Sequence, residues 1–326
     1  MKKKNIDSSI LTLTGMIAVV LIGMAILRPG TFYTMTNMRS MIFQFPEFGI
    51  MAFGMMLCMI SGGIDLSLVG IANLAGIVAA KIILSMGGTL SSVILACAAA
   101  LCTGALCGCF NGFMIGYLKV PAMLVTLCGL ELYGGIGLGI TTGPALNGLP
   151  DSYKFIANGS IGSIPVVLFI FVIVVALIAF LMKSTVYGQH VMFMGSNNEA
   201  SRYSGINNLK ITIMTYVISG ILGALSGILI SSHFNSAKAD YGSSYTLLSL
   251  LIVVLGGVHP DGGRGKVVGV MLSILLLQLV AQAFNILQID PTGNMRTFVY
   301  GCLLLLSLGI TLYSEKRKQQ VKRVKN

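Results

Sequence analysis

Three amide side chains in one apolar stretch are the first candidates for chemistry. Gln278, Gln282 and Asn285 occur at positions i, i+4 and i+7, so they lie along one face of a helix. Polar groups that face lipid are costly, and this face is therefore expected to meet a pore or another helix. Neutral amides suit weak, transient contacts with the hydroxyl groups of a small solute. Hydrogen bonding between helices is an equally compatible alternative.

Four more polar residues lie in or beside apolar stretches nearer the N-terminus. Gln44 and Glu47 are three apart on one helical face, and Asn73 is a lone amide. Asp65 belongs to the turn sequence Gly62–Ser67, where it could line a path or cap the following helix. We predict a translocation path made of these four residues and the three amides of the later stretch.

Patterns for catalysis or nucleotide binding are not found in the sequence. No spacing fits a metal site, and the three histidines are predicted to lie in loops. They are His190, His233 and His259. The segment 262–266 resembles part of a phosphate-binding loop, but Pro260 takes the place of its first glycine and Val267 that of its magnesium-binding hydroxyl residue. We therefore predict a chain that is not an enzyme and binds no metal or cofactor.

The composition is that of a membrane protein. Of the 326 residues, 55% are hydrophobic and 10% are charged, and the mean hydropathy is +0.89. A soluble domain has about 25% charged residues. The net charge of +11 comes from Lys and Arg in short loops and a tail, without a basic face that carries stacking aromatics. This pattern excludes nucleic acid as a partner and predicts an all-α membrane protein.

The apolar stretches predict ten membrane-spanning helices in a single polytopic domain, residues 1–326. Their approximate bounds are 9–27, 41–60, 66–86, 90–110, 120–141, 164–182, 211–231, 244–257, 267–286 and 297–313. The first stretch lacks a small-x-small cleavage site, so we expect it to be a retained span.

Basic residues predict the orientation. With both termini in the cytoplasm, fifteen Lys and Arg residues lie in inner segments and five in outer segments. The long connections are then an external loop, 142–163, and a cytoplasmic loop, 183–210. The basic tail, 314–326, lies at the cytoplasmic surface, where it could contact anionic lipid.

Two glycine-rich patterns concern helix packing. Four pairs of glycines four residues apart predict close approach between helices. They are Gly104/Gly108, Gly112/Gly116, Gly135/Gly139 and Gly223/Gly227. In addition, residues 62–88 and 237–257 each carry an Asp, then a small-residue helix, then Gly-Gly, which is compatible with an inverted repeat.

A polar segment within the 183–210 loop predicts a docking element. Residues 199–203 can form a short amphipathic helix, with Asn197 as its N-cap and Gly205 as its stop. Such a helix has no core of its own, so we expect it to dock on a soluble partner. An ordinary solvated loop is the alternative.

Several of these motifs together resemble one family, the permease subunits of bacterial ABC importers for simple sugars such as ribose, galactose and xylose, and for autoinducer-2. Gly62–Ser67 resembles its Gly-Gly-x-Asp-Leu-Ser turn, and residues 195–206 resemble its coupling segment. The further matching motifs are Asn111-Gly112, Val120-Pro121, Val125–Leu127, Val254–Gly257 and Gly262–Gly265. In the coupling segment this chain has Glu199-Ala200-Ser201 where the family often has two alanines.

The resemblance implies a pore subunit in the bacterial inner membrane. A second permease chain, identical or different, completes the pore. Cytoplasmic ATPase subunits use ATP and drive alternating access, and an extracytoplasmic solute-binding protein delivers the solute. The implied ATPase-coupling residues are Gly195, Asn197, Glu199, Ala200, Ser201, Ser204, Gly205 and Ile206. Related permeases carry nucleosides or flavins, so these solutes stay open, as does an ion-coupled transporter that uses Glu47 or Glu131.

Overall fold

The computed structural model describes residues 8–141, 143–162 and 164–289, together with 295, 298–302, 305 and 309. Its longer segments are almost entirely helical, which confirms the predicted all-α membrane class. The helices are α1 (Ser8–Leu27), α2 (Pro29–Phe32), α3 (Met35–Ile60), α4 (Leu68–Ser85), α5 (Leu90–Gly116), α6 (Ala122–Thr141), α7 (Asp151–Asn158), α8 (Val166–Ser184), α9 (Val186–Ser196), α10 (Asn198–Tyr203), α11 (Asn208–Phe234), α12 (Tyr245–Leu255) and α13 (Val267–Leu287).

Eight helices in the described part are long and apolar enough to cross a membrane, namely α1, α3, α4, α5, α6, α8, α11 and α13. The shorter apolar helix α12 corresponds to the predicted span 244–257. The tenth predicted span, 297–313, and the tail 314–326 lie outside the continuously described residues, as do residues 1–7. The count of ten spans and the cytoplasmic position of both termini therefore stay predictions.

Two helix boundaries were predicted wrongly. Helix α5 ends at Gly116 rather than near residue 110. Helix α3 begins at Met35 rather than near residue 41, because Thr34 caps it by accepting a hydrogen bond from the Asn37 amide at 3.3 Å. The polar first turns of this helix project beyond the apolar stretch that marked the span. They carry Asn37 and Arg39, which contribute to the sites described below.

Helix α11 lies at the centre of the bundle and packs against α3, α4 and α5. The packing is close because glycines leave room for backbone. A Cβ atom on Gly112 would lie 2.7 Å from the Cα atom of Ile213, and Cβ atoms on Gly104 and Gly108 would overlap the α11 backbone. Close approach is thus confirmed for these glycines of α5.

Two further glycine pairs have different outcomes. Gly227 of α11 lies against the backbone of Ala72 in α4, which confirms close packing there. Added Cβ atoms on Gly135 and Gly139 would meet nothing within 4 Å among the described residues, so close packing at this pair stays a prediction.

At the predicted extracytoplasmic end, α7 covers the last turns of α11. The amide of Ala157 donates to Ser232 Oγ at 3.0 Å, and the Tyr153 and Ser231 hydroxyls are 2.7 Å apart. Two short antiparallel pairs complete this cap: β1 (Leu146–Asn147) with β4 (Ser236–Ala237), and β2 (Ser160–Ile161) with β3 (Ile164–Pro165).

The two segments of the possible inverted repeat differ in structure. Helix α4 has 18 residues and α12 has 11. Asp65 before α4 is fully buried, whereas Asp240 before α12 is exposed and paired with Lys238 at 2.8 Å. The repeat stays a prediction.

Candidate functional site

Three turns that are far apart in the sequence meet at the predicted cytoplasmic end of the bundle. They contribute Gly62 after α3, Gly195 in the last turn of α9, and Gly262 and Gly263 between α12 and α13. We call these four residues the glycine cluster. The amide of Gly263 donates to the carbonyl oxygen of Ile60 at 2.8 Å, so the third turn is hydrogen-bonded to the end of α3.

The glycine cluster is packed backbone against backbone. A Cβ atom on Gly195 would overlap the carbonyl oxygen of Ile60 and lie 2.6 Å from the Gly263 amide nitrogen. A Cβ atom on Gly262 would lie 2.9 Å from the Cα atom of Gly62 and from the carbonyl oxygen of Gly195. Gly62, Gly262 and Gly263 also have positive φ angles, which side chains disfavour. The end of α9 is therefore in direct backbone contact with the other two turns.

The predicted short helix is present as α10 and follows the glycine cluster directly. Asn197 caps it, with Oδ1 accepting from the Ala200 amide at 2.9 Å. At its end, the amides of Gly205 and Ile206 donate to the carbonyls of Arg202 and Ser201, the hydrogen-bond pattern of a Schellman motif. Gly205 has a φ angle of +81°, so it ends the helix as predicted.

The predicted coupling residues divide between the two faces of α10. Ser201 is buried, and its hydroxyl donates to Asn208 Oδ1 at 2.8 Å, which ties α10 to the start of α11. Glu199 and Ser204 are exposed, whereas Ala200 and Ile206 are partly buried. The outer face also carries Arg202 and Tyr203, which the sequence motif had not singled out. Tyr203 is 91% exposed.

Asp65 is fully buried just above the glycine cluster. Its carboxylate accepts from Ser67 Oγ at 2.6 Å and from Ser219 Oγ of α11 at 2.7 Å. Asn111 of α5 donates to Ser67 Oγ at 2.8 Å and accepts from the Tyr133 hydroxyl of α6 at 2.7 Å. The network joins the turn to three helices, which favours the structural interpretation of Asp65. Its place on a translocation path stays a prediction.

Burial raises the pKa of Asp65, and the hydrogen bonds from Ser67 and Ser219 act in the opposite direction. The carboxyl group therefore holds its proton to a higher pH than an exposed aspartate.

The other predicted path residues mostly bridge elements of the chain. Asn73 donates to the carbonyls of Ala239 and Tyr241 at 2.8 and 2.9 Å and so holds the loop before α12. On α13, Gln278 donates to Gln44 Oε1 at 3.3 Å.

Gln282 lies one turn further along α13. Its amide contacts Asn37 Oδ1, while Asn285 is exposed near the end of the helix. The amide face of α13 thus meets another helix, α3.

Glu47 is a buried carboxylate near the predicted extracytoplasmic end of the bundle. Its Oε1 contacts His233 Nδ1, and its Oε2 accepts from the Tyr245 hydroxyl at 3.4 Å. The loop assignments of two histidines were wrong: His233 lies in the last turn of α11, and His190 lies in α9. His259 lies in the turn after α12. Helix α11 has 27 residues, more than the roughly 20 needed to span a membrane. His233 lies in its last turn and there contacts Glu47.

Among the described residues, no group of three or more His, Cys, Asp or Glu side chains is placed to hold a metal ion. The absence of a cofactor stays a prediction.

Comparisons with known proteins define the class. A family model described as "Branched-chain amino acid transport system / permease component" matches residues 37–308. The L-arabinose transport system permease protein AraH of Escherichia coli is 31% identical over 304 residues, which cover 93% of this chain and 90% of the relative. The ribose import permease protein RbsC of Haemophilus influenzae is 32% identical over 281 residues, covering 85% and 86%. No solved structure matches the chain.

The apolar helices and these relatives identify a multi-pass permease of the bacterial inner membrane. More narrowly, the chain belongs to the transport-system permease family whose model covers residues 37–308. The resemblance to the permease subunits of bacterial simple-sugar importers is thereby confirmed. A third relative, the autoinducer 2 import system permease protein LsrD of Yersinia pestis, is 31% identical over 281 residues, covering 83% of each chain.

Proposed function

We propose that this chain is the pore subunit of an ABC importer that brings a sugar or sugar-like solute into the cell. The relatives support the solute class, since they are named for L-arabinose, ribose and autoinducer 2. The observation that carries the proposal is the junction between α10 and the glycine cluster. It links an exposed polar helix, suited to docking on a soluble partner, to the ends of several spans.

In this proposal, α10 sits in a groove of a cytoplasmic ATPase subunit. Closure of the ATPase pair on ATP pushes α10 and the end of α9, and the glycine cluster passes the movement to the turns after α3 and α12. The spans then change between inward-facing and outward-facing arrangements, which is rigid-body alternating access. The chain itself binds no cofactor. A second permease chain, identical or different, completes the pore, and an extracytoplasmic binding protein delivers the solute.

Two kinds of alternative are tested by the same assay. A permease of this fold could carry a nucleoside or a flavin, which a panel of labelled solutes distinguishes. An ion-coupled secondary transporter would work without an ATPase. Its candidate carboxylates are Glu47, which is already engaged by His233, and Glu131, which is exposed on α6.

The test of the coupling role is the double substitution Glu199→Arg and Gly205→Pro. It reverses the charge of the exposed Glu199 and removes the positive φ at Gly205 that ends the helix. We expect ATP-dependent uptake to be abolished while the protein still inserts into the membrane. Uptake of labelled sugar is measured in cells that also express an ATPase subunit and a solute-binding protein of a sugar importer, the ATPase being one with which the chain co-purifies.

The matched control is Asp151→Arg, which reverses an exposed charge at the opposite end of the bundle. It should leave uptake close to the level of the unaltered protein. Normal ATPase assembly and uptake in the Glu199→Arg, Gly205→Pro variant would contradict the proposed coupling role.

A second prediction concerns the buried polar residues of the spans. Glu47→Ala removes the partner of His233, and Gln282→Leu removes the amide that contacts Asn37. If these residues shape the translocation path, each substitution should cut uptake by about tenfold, since it removes hydrogen bonds of about 1 kcal/mol each. Assembly with the ATPase, measured by co-purification, should be unchanged. Unchanged uptake in both variants would show that these contacts only bridge helices.

A further inference from the structure

A cavity of about 320 Å³ opens at the predicted extracytoplasmic end of the bundle, between α3, α7 and α11. Five of its lining residues lie on one face of α3, and the others end α7 and α11. They are Thr36, Arg39, Ser40, Phe43, Gln44, Asn158 and His233. Ligand sites of small molecules have volumes of about 300–1,000 Å³, so the cavity suits a small solute. It lies at the opposite end of the bundle from the glycine cluster.

The polar groups of this outer cavity are held in place by other protein groups. Gln44 donates to Ser40 Oγ at 3.2 Å and accepts from Gln278 at 3.3 Å, which leaves one N–H and one lone pair of its amide. The Asn158 amide nitrogen donates to the carbonyls of Ser232 and His233, each at 3.2 Å, so its Oδ1 is left as an acceptor.

Glu47 orients the imidazole of His233, which lines the outer cavity. Its carboxylate contacts His233 Nδ1, and its side chain is only 3% exposed. Nε2 is therefore the ring nitrogen that a solute in the cavity can reach, and a carboxylate partner fixes the orientation of the ring. Such fixed groups lose little freedom on binding, which favours affinity.

Arg39 and Phe43 complete the lining. One Arg39 nitrogen donates to Ser160 Oγ at 2.8 Å, and the guanidinium carbon lies 5.9 Å from the centre of the Phe43 ring. An apolar ring next to several hydrogen-bonding groups suits a solute ring that has both C–H and O–H groups. The carboxylate below is covered by His233, so the lining offers no exposed acid to attract a cation.

We propose that the outer cavity is a solute-selecting site of the permease itself, for a hydroxyl-rich solute of monosaccharide size that carries no positive charge. The solute would bind there after it leaves the binding protein and before it passes between the spans. The solute class rests on the proposed function, whereas the existence of the site rests on the cavity alone. Selection would then be shared between the binding protein and the permease.

The test measures binding to the full-length chain in lipid nanodiscs, without the ATPase or the binding protein. The probes are L-arabinose, D-ribose and L-leucine, each followed by saturation-transfer NMR. The variant Arg39→Met with Gln44→Leu removes two polar groups of the lining, and Lys81→Met removes an exposed cation of α4 outside the cavity. We expect the double variant to bind the sugars about tenfold more weakly, and Lys81→Met to bind them normally.

Thermal unfolding of each variant shows whether the bundle is intact. If L-leucine binds to the unaltered chain but not to the double variant, the site is kept. The hydroxyl-rich solute class and the sugar function would then both be contradicted. Sugar binding that survives in an intact double variant, or no binding of any probe by the unaltered chain, would overturn the site. Neither of these last two results affects the uptake test of the proposed function.

Discussion

Replacing Gly195 by alanine is expected to abolish solute uptake while the protein still inserts into the membrane. The residue lies in the last turn of α9, where a Cβ atom would overlap the carbonyl oxygen of Ile60. The opposing atoms are backbone and cannot turn aside, so α9 must separate from the end of α3. The hydrogen bond from Gly263 to Ile60 would be strained at the same time.

The expected size of the effect follows from the cost of overpacking, which is about 1–3 kcal/mol. A loss of about 100-fold in uptake corresponds to about 2.7 kcal/mol. Alanine is otherwise the better helix former, by about 1 kcal/mol over glycine. A loss of function therefore cannot come from weaker helix propensity in α9 and must come from the contact.

The matched control for Gly195→Ala is Gly23→Ala in α1, where an added Cβ meets nothing within 4 Å. Both variants are compared by uptake of labelled sugar and by co-purification with the ATPase. The control should behave like the unaltered protein. Full uptake in the Gly195→Ala variant would mean that the glycine cluster does not transmit movement.

Much of the fold could be predicted because a membrane span has a strong local signal. A run of about 20 apolar residues is sufficient, and nine of the predicted stretches correspond to described helices. Helix α9 was not predicted, since its 11 residues are too short to span a membrane and lie within a loop by that criterion. The polar start of α3 was missed for a related reason, because apolar content does not report a helix that continues beyond the lipid.

The candidate site was predicted in pieces. The cap at Asn197 and the stop at Gly205 are local signals, and α10 was therefore predicted correctly. That Gly62, Gly195 and Gly262 touch could not be predicted, because they are more than 60 residues apart and no periodicity connects them. The contact between Glu47 and His233 likewise joins residues 186 positions apart.

Replacing Asp65 by alanine is expected to lower the stability of the fold. The side chain is fully buried and accepts hydrogen bonds from Ser67 and Ser219. Alanine would leave both hydroxyl groups without this acceptor, at about 1–3 kcal/mol for each buried group that is not satisfied. Ser67 Oγ also accepts a hydrogen bond from the Asn111 amide of α5, and Asn111 accepts one from Tyr133 of α6. The contacts of the turn with α5 and α6 should therefore loosen as well. The midpoint of thermal unfolding in detergent should fall by several degrees.

Asp65→Asn is the informative companion to this variant, because it keeps the shape and removes the charge. Burial raises the pKa of Asp65 in the folded protein, so folding favours its protonated form. The stabilising effect of that proton is fully present below the unfolded pKa of about 3.9 and is lost as the pH rises through the higher folded value. The asparagine variant cannot take up the proton. The unaltered protein should therefore gain stability over the Asn variant as the pH is lowered towards the unfolded pKa of about 3.9, in matched unfolding experiments. A pH-independent difference would mean that Asp65 is ionised throughout, held by its hydroxyl donors in spite of its burial.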